Sequence, residues 1–107
     1  MGNAEPLGVD LTRDGDRLRV AVRGELDLLA APHLRTELLE ATKEDPAAIG
    51  LDLSAVTFID STGISVILQA WQRASANGSR LVVDSASPVV ARVIEVAGLT
   101  ELLGADS

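Results

Sequence analysis

The stretch AIGLDLSAVTFIDSTGISVIL, residues 48–68, decides the fold. Ile49, Leu51 and Leu53 alternate, and Val56, Phe58 and Ile59 continue the run, so its first half reads as a strand buried in the middle of a sheet. The second half changes period: Ile64, Ile67, Leu68 and then Trp71 fall at i, i+3, i+4 and i+7, the stripe of an amphipathic helix. Between strand and helix stand Asp60, Ser61, Thr62 and Gly63. The question is what two hydroxyls do at that turn.

Upstream, Leu7, Val9 and Leu11 alternate up to Asp14-Gly15-Asp16, and Leu18, Val20 and Val22 alternate with Arg17, Arg19, Ala21 and Arg23. This predicts a hairpin with one solvated face, its second strand ended by Gly24. Pro32 lies just inside a helix in which Leu34, Leu38 and Ala41 recur at helical spacing, and Glu44, Asp45 and Pro46 stop it. Downstream, Asn77-Gly78 ends the second helix and RLVVD gives another strand. Ser87-Pro88 opens a third helix as N-cap and first-turn proline, with Val90, Val93, Ile94 and Ala97 on one face and Gly98 past its end. The order β-β-α-β-α-β-α predicts a small α/β domain with a mixed sheet of about four to five strands, those linked through helices running parallel.

With 107 residues, 47% of them apolar and 23% charged, the chain has the balance of one globular domain, residues 1–107, with residues 1–6 as a flexible extension. Phe58 and Trp71 supply all of the 2% aromatic content, so the core is aliphatic and few side chains could stack on bases. The net charge is −7 and the basic residues are scattered singly, which disfavours nucleic acid as a direct partner. There is no cysteine for a disulfide or thiolate metal site. MGNAEPLGVD lacks an apolar segment with a basic flank, and nowhere do about 18 apolar residues run together, so the expectation is a soluble cytoplasmic protein without a membrane partner.

Four readings compete for the hydroxyls. The commonest job of Asp, Ser or Thr at such a turn is to cap the helix. A nucleophilic serine needs a base, and the one histidine, His33, falls on the first turn of another helix, in a solvated setting. A phosphate-cradling loop needs more glycines and a lysine than Gly63 and Lys43 provide. In the fourth reading Ser61 is itself modified: a phosphate adds roughly two negative charges at a helix terminus that tolerates them and changes the adjoining surface, with no catalytic partner in the chain.

Three pieces carry a family resemblance: GELD at 24–27 followed by AAPHL, LDLSAVTFIDSTG at 51–63, and VARVIEVAGL at 90–99. In this order and spacing they resemble the STAS domains, and among them the bacterial anti-sigma factor antagonists, over nearly the whole chain from about Leu7. The resemblance implies a switch protein and not an enzyme. It implies that Ser61 is phosphorylated by the partner, an anti-sigma factor with serine kinase activity, and restored by a serine phosphatase. The unphosphorylated form binds the anti-sigma factor and so releases a sigma factor. Asp27 and Asp60 match the family's acidic residues beside the serine. No cofactor or metal is implied.

Some positions depart from the pattern. Ser65 stands where relatives often carry glycine, close to the expected partner contact. Ala30 stands where many have a hydroxyl, so the first helix needs another cap, for which Asp27 is the candidate. Leu28 and Leu29 are either buried or part of the partner-binding patch. Thr62 is a second candidate for cap and for modification, and Gly63 either admits close approach of a partner or frees the turn. Trp71 reads as core. Asp14, Asp16, Glu37, Glu40, Glu44 and Asp45 read as a solvated face. Two other functions fit fewer features: a STAS accessory subunit of a lipid or anion transporter, and an acyl-carrier-like protein, whose all-helical family follows its serine with leucine where this chain has Thr62.

Overall fold

The computed structural model describes residues 7–103, so the expectation for residues 1–6 lies outside the described residues. The elements are β1 (Gly8–Asp14), β2 (Arg17–Leu26), α1 (Ala31–Lys43), β3 (Ala48–Ile59), α2 (Ser61–Ala76), β4 (Arg80–Ala86) and α3 (Pro88–Val96), followed by a short 3-10 helix at Thr100–Leu103. The expected order is the observed one. The sheet has four strands in the order β1-β2-β3-β4, with β1 antiparallel to β2 and the β2-β3 and β3-β4 pairs parallel.

The β1-β2 hairpin closes with Asp14 opposite Arg17 and Gly15-Asp16 as its loop. Gly15 has φ 68° and Asp16 stays out of the positive region, which is the demand of a two-residue loop with glycine in its first place. The connections β2-α1-β3 and β3-α2-β4 bring α1 and α2 side by side over the sheet. α3 packs on β3 and β4. Between these layers lie Leu18, Val20, Val22 and Leu26 from β2, Ile49, Leu51 and Leu53 from β3, Leu34 and Leu38 from α1, and Ile67 from α2, with Ile94 from α3. Each buried aliphatic side chain contributes about 1.5–3 kcal/mol, and no aromatic ring is needed. Trp71 is half-buried and packs against this core from outside.

Across the sheet runs a set of ion pairs: Arg23 with Asp10, Arg19 with Asp52, and Arg17 with Asp84. The Arg17–Asp84 pair reaches from β2 to β4 and passes over Gly50 of β3. This is the solvated face that the arginine alternation of β2 predicts.

Two expectations need correction. Gly24 does not end β2, which continues to Leu26; with φ 107°, Gly24 takes a backbone angle few other residues adopt, and the strand runs on. Nor is Phe58 a core residue: Val56 and Ile59 are buried, but Phe58 is 45% exposed. The cause is the pairing of β3 with β2. Ala21 and Arg23 face Asp52 and Ala55, and Gly24 and Glu25 face Val56 and Phe58, so β3 carries an extra residue at each step. Each bulge reverses which face the following residues occupy. The buried positions therefore step by three, Leu53 to Val56 to Ile59, and leave Phe58 outside.

Candidate functional site

The site residues lie at the carboxyl ends of β2 and β3, where open α/β sheets place their functional groups. Leu26 and Ile59 are partners at the last rung of the ladder, and the Asp60 amide donates to the Leu26 carbonyl at 3.4 Å. The segments leaving the two strands, Asp27-Leu28-Leu29 and Asp60-Ser61-Thr62, are thereby neighbours.

Asp60 is the cap of α2. Its backbone is extended, and its Oδ1 accepts from the amides of Thr62 at 3.0 Å and Gly63 at 3.1 Å. Neither Ser61 nor Thr62 performs that task. Ser61, the first residue of the helix, is exposed, and among the described residues no side-chain hydrogen bond engages its hydroxyl. Ser65 is exposed one turn on, on the same side of the helix as Ser61.

Asp27 holds the other segment. Its Oδ1 accepts from the amides of Leu29 at 3.1 Å and Ala30 at 3.0 Å, and its carbonyl accepts from Ala30 and Ala31. Ala30 makes no side-chain cap, so the stabilising carboxylate comes from one turn earlier, as the sequence predicts. This turn presents Leu28 and Leu29 to solvent, 66% and 88% exposed. Of the two alternatives for these leucines, burial is ruled out.

Gly63 has a role outside both alternatives considered for it. It is buried, and a Cβ there would come within 2.8 Å of Leu26 Cγ and of the Leu26 carbonyl oxygen. Its lack of a side chain lets the first turn of α2 press against the end of β2. His33 is exposed, with Nε2 3.6 Å from Glu37 Oε2 of its own helix, a contact that gives Ser61 no base. Phe58, which sequence reasoning placed in the core, adds exposed apolar area near the end of β3. The signal for it was the three-residue spacing from Val56 to Ile59.

Comparison with known proteins gives the family. Residues 9–104 match the family model described as Mlab, STAS domain. The chain belongs to the STAS domain family. An anti-sigma-B factor antagonist of Listeria monocytogenes is 30% identical to this STAS domain over 91 residues, 85% of this chain and 80% of its own. Among solved structures, an anti-sigma factor antagonist from Mycobacterium paratuberculosis superposes with a TM-score of 0.82 at 25% identity, covering 94% of this chain and 86% of that one. The anti-sigma factor antagonist SpoIIAA in its unphosphorylated form superposes with a TM-score of 0.77 at 23% identity, over 89% of this chain and 84% of that one, a likeness of fold. Among the described residues no helix of this STAS domain is long and apolar enough to cross a membrane.

Proposed function

We propose that this STAS domain is an anti-sigma factor antagonist whose binding is switched by phosphorylation of Ser61. It binds an anti-sigma factor with serine kinase activity through Asp27, Leu28, Leu29, Asp60, Ser61, Thr62 and Ser65, with Gly63 setting the position of the turn. Binding releases a sigma factor. The observation that carries this reading is the division of labour at the turn: Asp60 caps α2, so the Ser61 hydroxyl is exposed and unengaged. The identity to a curated anti-sigma-B factor antagonist supports the same role.

The physics gives the direction of the switch. The kinase moves the γ-phosphoryl group of ATP to Ser61 Oγ, the hydroxyl proton passes to a base of the kinase, and ADP leaves. The phosphate adds roughly −1.5 to −2 of charge. The Thr62 and Gly63 amides already serve Asp60, so the dianion gains no bond from them unless it displaces that carboxylate. It projects outward beside Asp60 and Asp27 and repels an acidic or nucleotide-holding partner surface. A serine phosphatase restores binding.

The test is titration calorimetry of wild type, Ser61→Ala and Ser61→Asp against the cognate anti-sigma factor, with peptide mass mapping after incubation with ATP and magnesium. Wild type gains one phosphate at Ser61, Ser61→Ala gains none and still binds, and Ser61→Asp binds about tenfold or more weakly, the effect of losing at least 1.4 kcal/mol. Equal affinity of the two variants overturns the switch. Absence of modification together with co-purification of a transporter ATPase would move the assignment to the accessory-subunit class.

A further inference from the structure

A groove of about 660 Å³ runs along the seam between α1 and α2. Half-buried Leu39 contributes apolar surface above the buried Leu38 and Val66, while Arg35 from α1 and Gln69, Gln72 and Arg73 from α2 bring polar groups. Among the described residues no carboxylate lines it, in a chain whose net charge is −7. Arg13, Arg17, Arg19, Arg23 and Lys43 each meet a carboxylate. Arg35, Arg73, Arg80 and Arg92 form no ion pair among the described residues, and of these Arg35 and Arg73 share this groove. Neither has an acidic residue three or four positions away on its own helix, where a pairing partner would stand. Arg73, in the last turn of α2, is favoured there by the helix dipole, but Arg35 lies in the first half of α1, where the dipole offers a cation no support.

We propose that this groove docks an acidic amphipathic segment of a protein partner. Carboxylates of such a segment pair with the guanidinium groups of Arg35 and Arg73, and its apolar side chains lie against the half-buried Leu39. The amides of Gln69 and Gln72 can bond the polar groups of a peptide; an acyl chain laid over them would strip their water without replacing it. The groove follows α2 from Val66 to Asn77, whereas Ser61 is the first residue of that helix.

The test is a heteronuclear NMR titration of the whole chain with a synthetic helical peptide carrying leucines at helical spacing and glutamates between them. The same peptide with lysine for glutamate, and decanoate, are titrated in parallel. The acidic peptide is expected to give saturable shifts in the side-chain amides of Gln69 and Gln72 and the Nε resonances of Arg35 and Arg73. The double variant Arg35→Glu/Arg73→Glu is expected to lose about tenfold in affinity, as for removal of a charge-assisted hydrogen bond, and to accept the lysine peptide instead. A circular dichroism melt of the variant establishes that it is folded. No saturation, equal binding of the two peptides to wild type, or indifference to charge reversal in a folded variant overturns the proposal. The same shifts produced by decanoate overturn it in favour of an anionic lipid.

Discussion

Gly63, in the first turn of α2, lies against Leu26, the last residue of β2, at a distance that admits no side chain: a Cβ would stand 2.8 Å from the Leu26 carbonyl oxygen. The obstacle is backbone and cannot swing aside. Ile59 Cγ1 would close the other side at 3.0 Å. Gly63→Ala must therefore shift the helix start that carries Ser61, and the expected cost is about 1–3 kcal/mol, the range for overpacking a filled site. Equilibrium urea unfolding measures it as a lower midpoint at unchanged slope.

Gly50→Ala makes the opposite case with the same substitution. Its Cβ would collide with the Asp84 carboxylate and approach an Arg17 guanidinium nitrogen at 2.9 Å. Both are ends of partly exposed side chains that can move away. The change replaces one surface ion pair with separately solvated groups, and such pairs contribute about 0–1 kcal/mol. The same urea series is expected to show a shift smaller than that of Gly63→Ala. A larger one would mean that the ion pairs across β2, β3 and β4 act as a network.

Asp60 and Ser61 are adjacent, yet their substitutions separate stability from function. Asp60→Ala removes the acceptor for two amides and is expected to cost about 1 kcal/mol, the usual value of a helix N-cap. Ser61→Ala removes an exposed hydroxyl that makes no side-chain hydrogen bond among the described residues, and a change within about 0.5 kcal/mol is expected, as for other exposed positions. Thermal unfolding of the two variants checks both values. A large loss in Ser61→Ala would return the serine to a structural role.

The strand-turn-helix of residues 48–68, the hairpin, the proline-started helices and the serine N-cap at Ser87 were legible because each rests on local chemistry: a period, a cap, a turn residue. Asp27 as the surrogate cap for α1 was legible for the same reason. What sequence could not give was register. Phe58 reads as core only while the alternation of β3 is unbroken, and the extra residues that break it are visible only in the pairing with β2. Gly63 was hidden likewise, because its constraint is Leu26, a residue distant in sequence. The exposure of Leu28 and Leu29 follows from the turn that Asp27 fixes, which composition alone could not distinguish from burial.

Asp52 makes the pH dependence of the fold testable. The Ser54 hydroxyl at 2.7 Å and then the Ser54 amide at 3.0 Å hold its carboxyl below the ordinary value of 3.8, with Arg19 assisting against partial burial. A carboxyl whose value is lowered by folding adds stability above the unfolded value and loses it as pH falls through the folded one. Ser54→Ala should bring the Asp52 value back toward 3.8. The variant is then less stable than wild type at neutral pH, and the difference shrinks in acid below 3.8. Carbon-detected NMR titration of the Asp52 carboxyl, with unfolding at two pH values, checks the direction.

Leu28 and Leu29 offer the sharpest separation of binding from folding. At 66% and 88% exposure their side chains contribute little to the core, and the turn that carries them is fixed by Asp27, not by their own packing. Exposed leucines held in a fixed place can be covered by an apolar pocket of a partner without a large ordering cost. Leu28→Ala/Leu29→Ala is therefore expected to keep the wild-type unfolding midpoint. Its affinity for the cognate anti-sigma factor should fall by about 1.5–3 kcal/mol per fully covered leucine, the hydrophobic value of such a side chain. Calorimetry at several temperatures would also show a smaller negative heat-capacity change of binding, the mark of lost apolar burial. Unchanged affinity in a folded variant would confine the interface to α2 and leave these two leucines outside it.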